Sequence, residues 1–73
     1  MRTELKRLRV TNFLTQEQMA EKCGTSRNNY GFIEKGKRKG SAEFWLNLQK
    51  EFGLSVEQVE ELRKVDVSNA RKP

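Results

Sequence analysis

The sequence lacks histidine altogether and contains a single cysteine and a single proline among its 73 residues. Without histidine, and with Cys23 as its one thiol, the chain cannot supply the usual ligands of a zinc site or form an internal disulfide. We therefore expect no metal and no cofactor. It also lacks a long apolar run and a signal peptide, so we expect a cytoplasmic protein without a membrane span.

Enzymatic function has little support in this composition. No histidine is present to act as an acid or base near neutral pH, and no glycine-rich phosphate-binding loop occurs. The acidic residues are scattered over positions typical of helix surfaces. We therefore predict that the protein is not an enzyme.

The charge of the chain is mainly positive, with a formal net value of +5, and it is unevenly distributed. Basic residues cluster near the start and in the middle of the chain, at Arg2, Lys6, Arg7, Arg9, Arg27, Lys35, Lys37, Arg38 and Lys39. The acidic residues lie mostly later. This pattern favours a polyanionic partner that binds one positive end of the molecule.

Start and stop signals divide the sequence into five short helices. Glycine follows three helix-like segments, at Gly24, Gly36 and Gly53, where a left-handed residue commonly ends a helix. Residues that favour N-caps precede the later segments, at Thr15, Ser26, Ser41 and Ser55. The predicted helices cover about 4–11, 15–24, 27–35, 42–52 and a stretch after 55.

No strand signal competes with these helices. The predicted fold class is therefore all-α, a compact bundle of five short helices in one domain over residues 1–65. The first helix is expected to turn Leu5, Leu8 and Val10 inward. A polar tail at 66–73 is expected to be frayed.

The second and third helices are joined by the short turn Cys23-Gly24-Thr25-Ser26. A short turn with glycine between two short helices is the helix-turn-helix layout, whose second helix can enter the major groove of DNA. Tyr30 and Ile33 define the inner face of this helix. The opposite face carries Asn28, Gly31, Phe32 and Lys35, with Arg27 and Asn29 on its flanks.

These residue types suit the recognition of base edges. Arginine binds guanine and asparagine binds adenine, while phenylalanine can contact a thymine methyl group. A glycine permits close approach of the helix to the bases, although it weakens the helix by about 1 kcal/mol relative to alanine. We therefore predict base contacts from Arg27, Asn28, Gly31 and Phe32.

Two segments, TQEQMAEKCGTSR at 15–27 and IEKGKR at 33–38, resemble the Cro/C1-type helix-turn-helix family, also called the Xre family. The similarity extends from about Leu5 to Leu62. It implies a lambda-repressor-like DNA-binding fold with 27–35 as the recognition helix. It also implies a sequence-specific transcriptional regulator, a repressor of the phage or mobile-element kind. The chain departs from the family's usual residues at Thr25, Tyr30, Gly31, Phe32 and Gly40.

The resemblance also implies roles for matched positions. Gln16 would contact a phosphate or a base edge, and Arg9 would form a structural ion pair with Glu34. The residues expected to contact the DNA backbone, together with Gln16, are Asn29, Lys35, Lys37, Arg38 and Lys39. The basic run at 35–39 could also be an ordinary solvated loop, but its position beyond the third helix favours phosphate contact.

A domain of this size buries little surface on DNA by itself. We therefore expect a homodimer on a pseudo-palindromic operator in double-stranded DNA, formed through apolar surface at Trp45, Val56, Val59 and Leu62. Three alternatives stay open. Phe32 contacts DNA or packs against the second or fourth helix, and Trp45 belongs to the core or to a dimer contact. The fold itself also serves as a protein-interaction module, such as an antitoxin-like subunit or an adaptor.

Overall fold

A computed structural model describes residues 1–65, and the predicted polar tail at 66–73 lies outside the described residues. The described part forms five helices and no strand. They are α1 (Thr3–Thr11), α2 (Gln16–Cys23), α3 (Arg27–Glu34), α4 (Ala42–Phe52) and α5 (Val56–Arg63). The predicted all-α class is confirmed, and the helix ends lie close to those expected from the sequence.

Side-chain caps begin the last four helices, as the sequence predicts. Each cap side chain accepts a hydrogen bond from a backbone N–H three residues later. The caps are Thr15, Ser26, Ser41 and Ser55. Gln18 and Gln58 complete capping boxes by bonding back to the first and last of these caps. Each cap contributes about 1 kcal/mol, so local sequence decides where these helices begin.

The hydrophobic core forms where α2 packs against α3 and α4, while α1 packs against α3 and α5. Its buried residues are Leu5, Met19, Ala20, Cys23, Tyr30, Ile33, Phe44, Trp45, Leu48, Val59 and Leu62. The inner face of α3 is thus Tyr30 and Ile33, as predicted. Burial raises the pKa of the Cys23 thiol to about 12. Val10 was expected to face inward and is exposed instead.

Burial within the chain corrects the predicted dimer surface. Trp45 is 3% exposed, and Val59 and Leu62 are each 8% exposed, so Val56 alone of the four lies on the surface. The reason is that α5 packs against α1 and α4, which covers its apolar stripe. Trp45 belongs to the core, and its indole Nε1 donates a hydrogen bond to the carbonyl of Lys39 at 3.0 Å.

The loop between α3 and α4 passes close over Trp45, and Gly40 makes this possible. Gly40 has a φ of +81°, and a Cβ atom there would lie 2.8 Å from the Trp45 Nε1 atom. A side chain would therefore clash, and proline would demand a negative φ. This explains why the chain departs at Gly40 from the family that it resembles.

Arg2 is buried, although the sequence groups it with the surface basic clusters. Its Nε donates to the carbonyl of Arg63 at 2.9 Å, and its Nη1 donates to the carbonyls of Ile33 and Arg38. The first two carbonyls lie at the ends of α5 and α3, where the helix dipole is negative. Burial lowers the pKa of Arg2, and the nearby Arg63 cation lowers it further. Backbone oxygens therefore compensate this cation.

We expect Arg2→Ala to lower the free energy of unfolding by about 2–4 kcal/mol, because several buried carbonyl groups lose their donor. Urea denaturation followed by circular dichroism measures this change. Lys6→Ala removes an exposed cation from α1 and serves as the control, with an expected change within about 0.5 kcal/mol. Equal effects in the two variants would contradict the structural role of Arg2.

Candidate nucleic-acid interface

A buried carboxylate, Glu34 at the end of α3, connects three helices. Arg9 of α1 donates from Nε to Glu34 Oε2 at 2.8 Å and from Nη2 to Oε1 at 3.3 Å. The Tyr30 hydroxyl donates to Oε2 at 2.8 Å, and Gln16 of α2 donates from Nε2 to Oε1 at 3.0 Å. The ion pair implied by the family resemblance is present. We call these four residues the Glu34 cluster.

Glu34 and Arg9 of the Glu34 cluster are both ionised at neutral pH. Burial raises the pKa of Glu34 because it disfavours the ionised form, but hydrogen bonds from Arg9, Tyr30 and Gln16 outweigh it and leave the pKa below its ordinary value. The bond to Glu34 raises the pKa of Arg9. Burial raises the pKa of Tyr30, as does its bond to Glu34, so the hydroxyl stays a proton donor.

The Glu34 cluster holds the beginning of α2 against α3, and the two helices share an exposed surface there. Six residues of this surface line a shallow hollow of about 240 Å³. They are Gln16, Arg27, Asn28, Gly31, Phe32 and Lys35, and we call this surface the α2–α3 face. The side chains of Arg27 and Asn28 are exposed and have no partner within residues 1–65. These predicted base-contact residues are thus brought together and left free to bind.

Arg38 lies at the edge of the α2–α3 face. Its Nη1 donates to Asn29 Oδ1 at 2.7 Å, and its guanidinium carbon lies 4.8 Å from the centre of the Phe32 ring. Asn29 in turn donates from Nδ2 to the Thr25 hydroxyl at 2.8 Å. Phe32 remains 39% exposed, so it does not pack into the core. Asn29 and Arg38 were both predicted to contact the DNA backbone, and here they bind each other.

Three lysines surround the α2–α3 face and its adjoining loop. Lys35, Lys37 and Lys39 are exposed, and none has a side-chain partner in the part of the chain that the structure describes. Unpaired cations on one side of a small domain suit the phosphates of a nucleic acid. Their contact with the DNA backbone stays a prediction.

The turn between α1 and α2 carries an exposed aromatic residue that the sequence analysis did not identify. Phe13 is 93% exposed and has a φ of 58°. A left-handed conformation is unfavourable for a bulky side chain, and glycine or asparagine usually takes it. The sequence feature that indicates this turn is the short stretch of chain between α1 and the Thr15 cap, which leaves room only for a tight turn.

Comparison with known proteins identifies the family of this chain. The model of the helix-turn-helix domain family matches residues 1–62. The chain belongs to the helix-turn-helix domain family. No solved structure matches the chain significantly.

Three relatives of this helix-turn-helix domain are proteins of two archaea. An uncharacterised HTH-type transcriptional regulator of Methanocaldococcus jannaschii is 39% identical over 59 residues, which cover 81% of this chain and 89% of the relative. Two uncharacterised HTH-type transcriptional regulators of Archaeoglobus fulgidus are each 32% identical over 59 residues. These cover 81% of this chain and 83% or 84% of the relative. The chain is thus similar to these regulators over most of their length.

Residues 1–65 of the helix-turn-helix domain contain neither a membrane-spanning helix nor a cluster of possible metal ligands. No helix there has the length and apolar character needed to cross a membrane. No three side chains of His, Cys, Asp or Glu come together there as a possible metal site. The candidate site described above consists of polar, basic and aromatic side chains.

We expect the stability of the domain to fall as the pH is lowered through the carboxylate range. The pKa of Glu34 is lower in the folded chain than in the unfolded chain, so the unfolded chain binds a proton first. The stabilisation is complete well above the unfolded value of about 4.3 and is lost as the pH falls through the folded value. Urea midpoints between about pH 7 and pH 3 measure this loss.

Glu34→Gln removes the negative charge of the Glu34 cluster and leaves the Arg9 cation uncompensated. At neutral pH this variant should lose about 3–5 kcal/mol of stability, and its remaining stability should depend less on pH. Glu43→Gln removes an exposed carboxylate from α4 and should retain the wild-type pH dependence. Equal stability and equal pH dependence in Glu34→Gln and Glu43→Gln would show that the Glu34 carboxylate does not stabilise the fold in this way.

Proposed function

We propose that this helix-turn-helix domain binds double-stranded DNA sequence-specifically, as a small transcriptional regulator of the Cro/C1 (Xre) type. The supporting observation is the α2–α3 face, where Arg27 and Asn28 are exposed and unpartnered beside Gln16. Arginine and asparagine are the side chains best suited to guanine and adenine. The names of the archaeal relatives, HTH-type transcriptional regulators, support the same proposal.

In this proposal α3 is the recognition helix and enters the major groove with its first turn. The beginning of α2 then lies near the sugar–phosphate backbone, where its free N–H groups favour a phosphate. Lys35, Lys37 and Lys39 contact further phosphates. Asn29 acts indirectly, because its side-chain oxygen accepts a hydrogen bond from Arg38.

We also propose that two copies bind a pseudo-palindromic operator and repress transcription by occupying the promoter, as phage and mobile-element repressors do. A single module buries only about 600–1,000 Å² on DNA, so a second copy supplies the missing affinity. Leu46 and Val56 are exposed apolar residues beside a shallow groove between α4 and α5. They replace the buried residues of the predicted dimer surface as candidates for this contact. Such a regulator acts in the cytoplasm, with its DNA.

One observation favours a second candidate function, a protein-interaction module such as an antitoxin-like subunit or an adaptor. Phe13 is almost fully exposed and Val10 is half exposed, which gives the turn after α1 an apolar character. Residues in unfavourable backbone conformations cluster at functional sites, and an exposed apolar patch marks an interaction surface. If this is its main function, Phe13→Gly abolishes capture of the partner protein and the α2–α3 face is dispensable.

The DNA-binding proposal is tested by selecting bound sequences from a random duplex pool and titrating the selected duplex at several salt concentrations. We expect an enriched motif, and an affinity that falls linearly with salt on logarithmic axes. Arg27→Ala and Asn28→Ala should each lose about 1–3 kcal/mol of discrimination at individual base positions. Lys37→Ala should weaken all duplexes alike and reduce the salt slope.

Lys50→Ala provides the matched control. It removes one exposed cation from α4, outside the α2–α3 face, and should leave the selected motif and the affinity nearly unchanged. A pool without an enriched motif argues against sequence-specific binding. An Arg27→Ala variant that selects the wild-type motif with the wild-type affinity shows that the site is assigned to the wrong residues.

A further inference from the structure

The middle of the α2–α3 face has a hollow because Gly31 has no side chain. Glycine inside a helix costs about 1 kcal/mol relative to alanine. The φ of Gly31 is not among the positive values of the chain. A Cβ atom there would meet only Gln16 Oε1, at an ordinary 3.8 Å. Nothing in the described part of the chain therefore requires glycine, and the hollow itself is the property that needs an explanation.

Gln16 forms one side of the hollow in a fixed orientation. Its Nε2 donates to the buried Oε1 of Glu34 at 3.0 Å, and its own Oε1 faces Gly31. An ionised carboxylate only accepts hydrogen bonds, so the amide cannot turn round without losing this bond. The hollow therefore presents a hydrogen-bond acceptor that the Glu34 cluster holds in place.

The ring of Phe32 forms another side of the hollow, and this side is apolar. The Arg38 guanidinium lies 4.8 Å from its ring centre, and Asn29 holds that guanidinium at 2.7 Å. These contacts restrict the ring while leaving part of it exposed. An aromatic ring beside the bare Cα of Gly31 suits a small apolar group such as a methyl.

Together with the proposed DNA binding, on which this inference depends, the geometry points to one base pair. We propose that the hollow accepts the major-groove edge of an A·T pair. The adenine 6-amino group donates to Gln16 Oε1, and the thymine 5-methyl group packs against Phe32 and Gly31. Only an A·T pair presents both groups in the major groove. Cytosine offers an amino group without a methyl, and guanine directs acceptors at the Gln16 oxygen.

Gly31→Ala tests this assignment without endangering the fold. The added methyl group fits the chain and favours the helix, so the melting temperature should rise. The same methyl group occupies the hollow, so affinity for the selected duplex should fall about 10-fold, as expected for one good base contact. The motif selected by the variant should lose its A·T preference at one position of each half-site and keep the others.

Base analogues provide a second measurement on the wild-type protein. Replacing the thymine at that position by uracil removes only the methyl group and should weaken binding about fourfold, the value for one buried methylene-sized group. Replacing its adenine partner by purine removes only the amino group and should weaken binding further. The affinity of Gly31→Ala should not change when uracil replaces the thymine. The control Asn28→Ala should lose its base preference at a different position of the motif, and its affinity should still fall with uracil.

The outcomes separate this inference from the proposed function. A motif with no A·T position sensitive to uracil overturns the inference and leaves DNA binding intact. The same holds if Gly31→Ala selects the wild-type motif with undiminished affinity. A pool without any enriched motif overturns the proposed function, and the inference with it.

Discussion

The buried carboxylate of Glu34 is the constraint on which the rest of the structure depends. A buried charge without partners costs several kcal/mol, so the favoured arrangement brings Arg9, Tyr30 and Gln16 together around it. These donors come from α1, α3 and α2, so their hydrogen bonds to the carboxylate hold the three helices in position. The hydrogen bond between Gln16 and Glu34 also affects the surface, because it fixes which end of the Gln16 side-chain amide faces the hollow at Gly31.

Most of the fold could be predicted from the sequence, because its signals are local. Cap residues with their partners three positions later mark the helix starts, and the spacing of Tyr30 and Ile33 defines the inner face of α3. The exposure of Arg27 and Asn28 follows from the same period. The Arg9–Glu34 pair lies far apart in sequence, and a family resemblance was needed to expect it.

The remaining features depend on tertiary packing that no local pattern encodes. Arg2 looks like a surface cation, yet the ends of α3 and α5 converge on it, and its bond to the Arg38 carbonyl anchors the basic run at 35–39. The Arg38 side chain lies on Phe32 rather than reaching out as a free cation. Val59 appeared available for a partner only because the packing of α5 against α1 and α4 was unknown.

The claim that the α2–α3 face is the DNA-binding surface is tested most directly by nuclear magnetic resonance. Backbone amide shifts of the labelled protein are followed as a duplex from the selected pool is added. We expect the largest changes at the beginnings of α2 and α3, around Gln16 and Asn28, and in the loop after Gly36. Changes confined to the turn at Phe13, or to the groove beside Leu46 and Val56, would contradict this assignment.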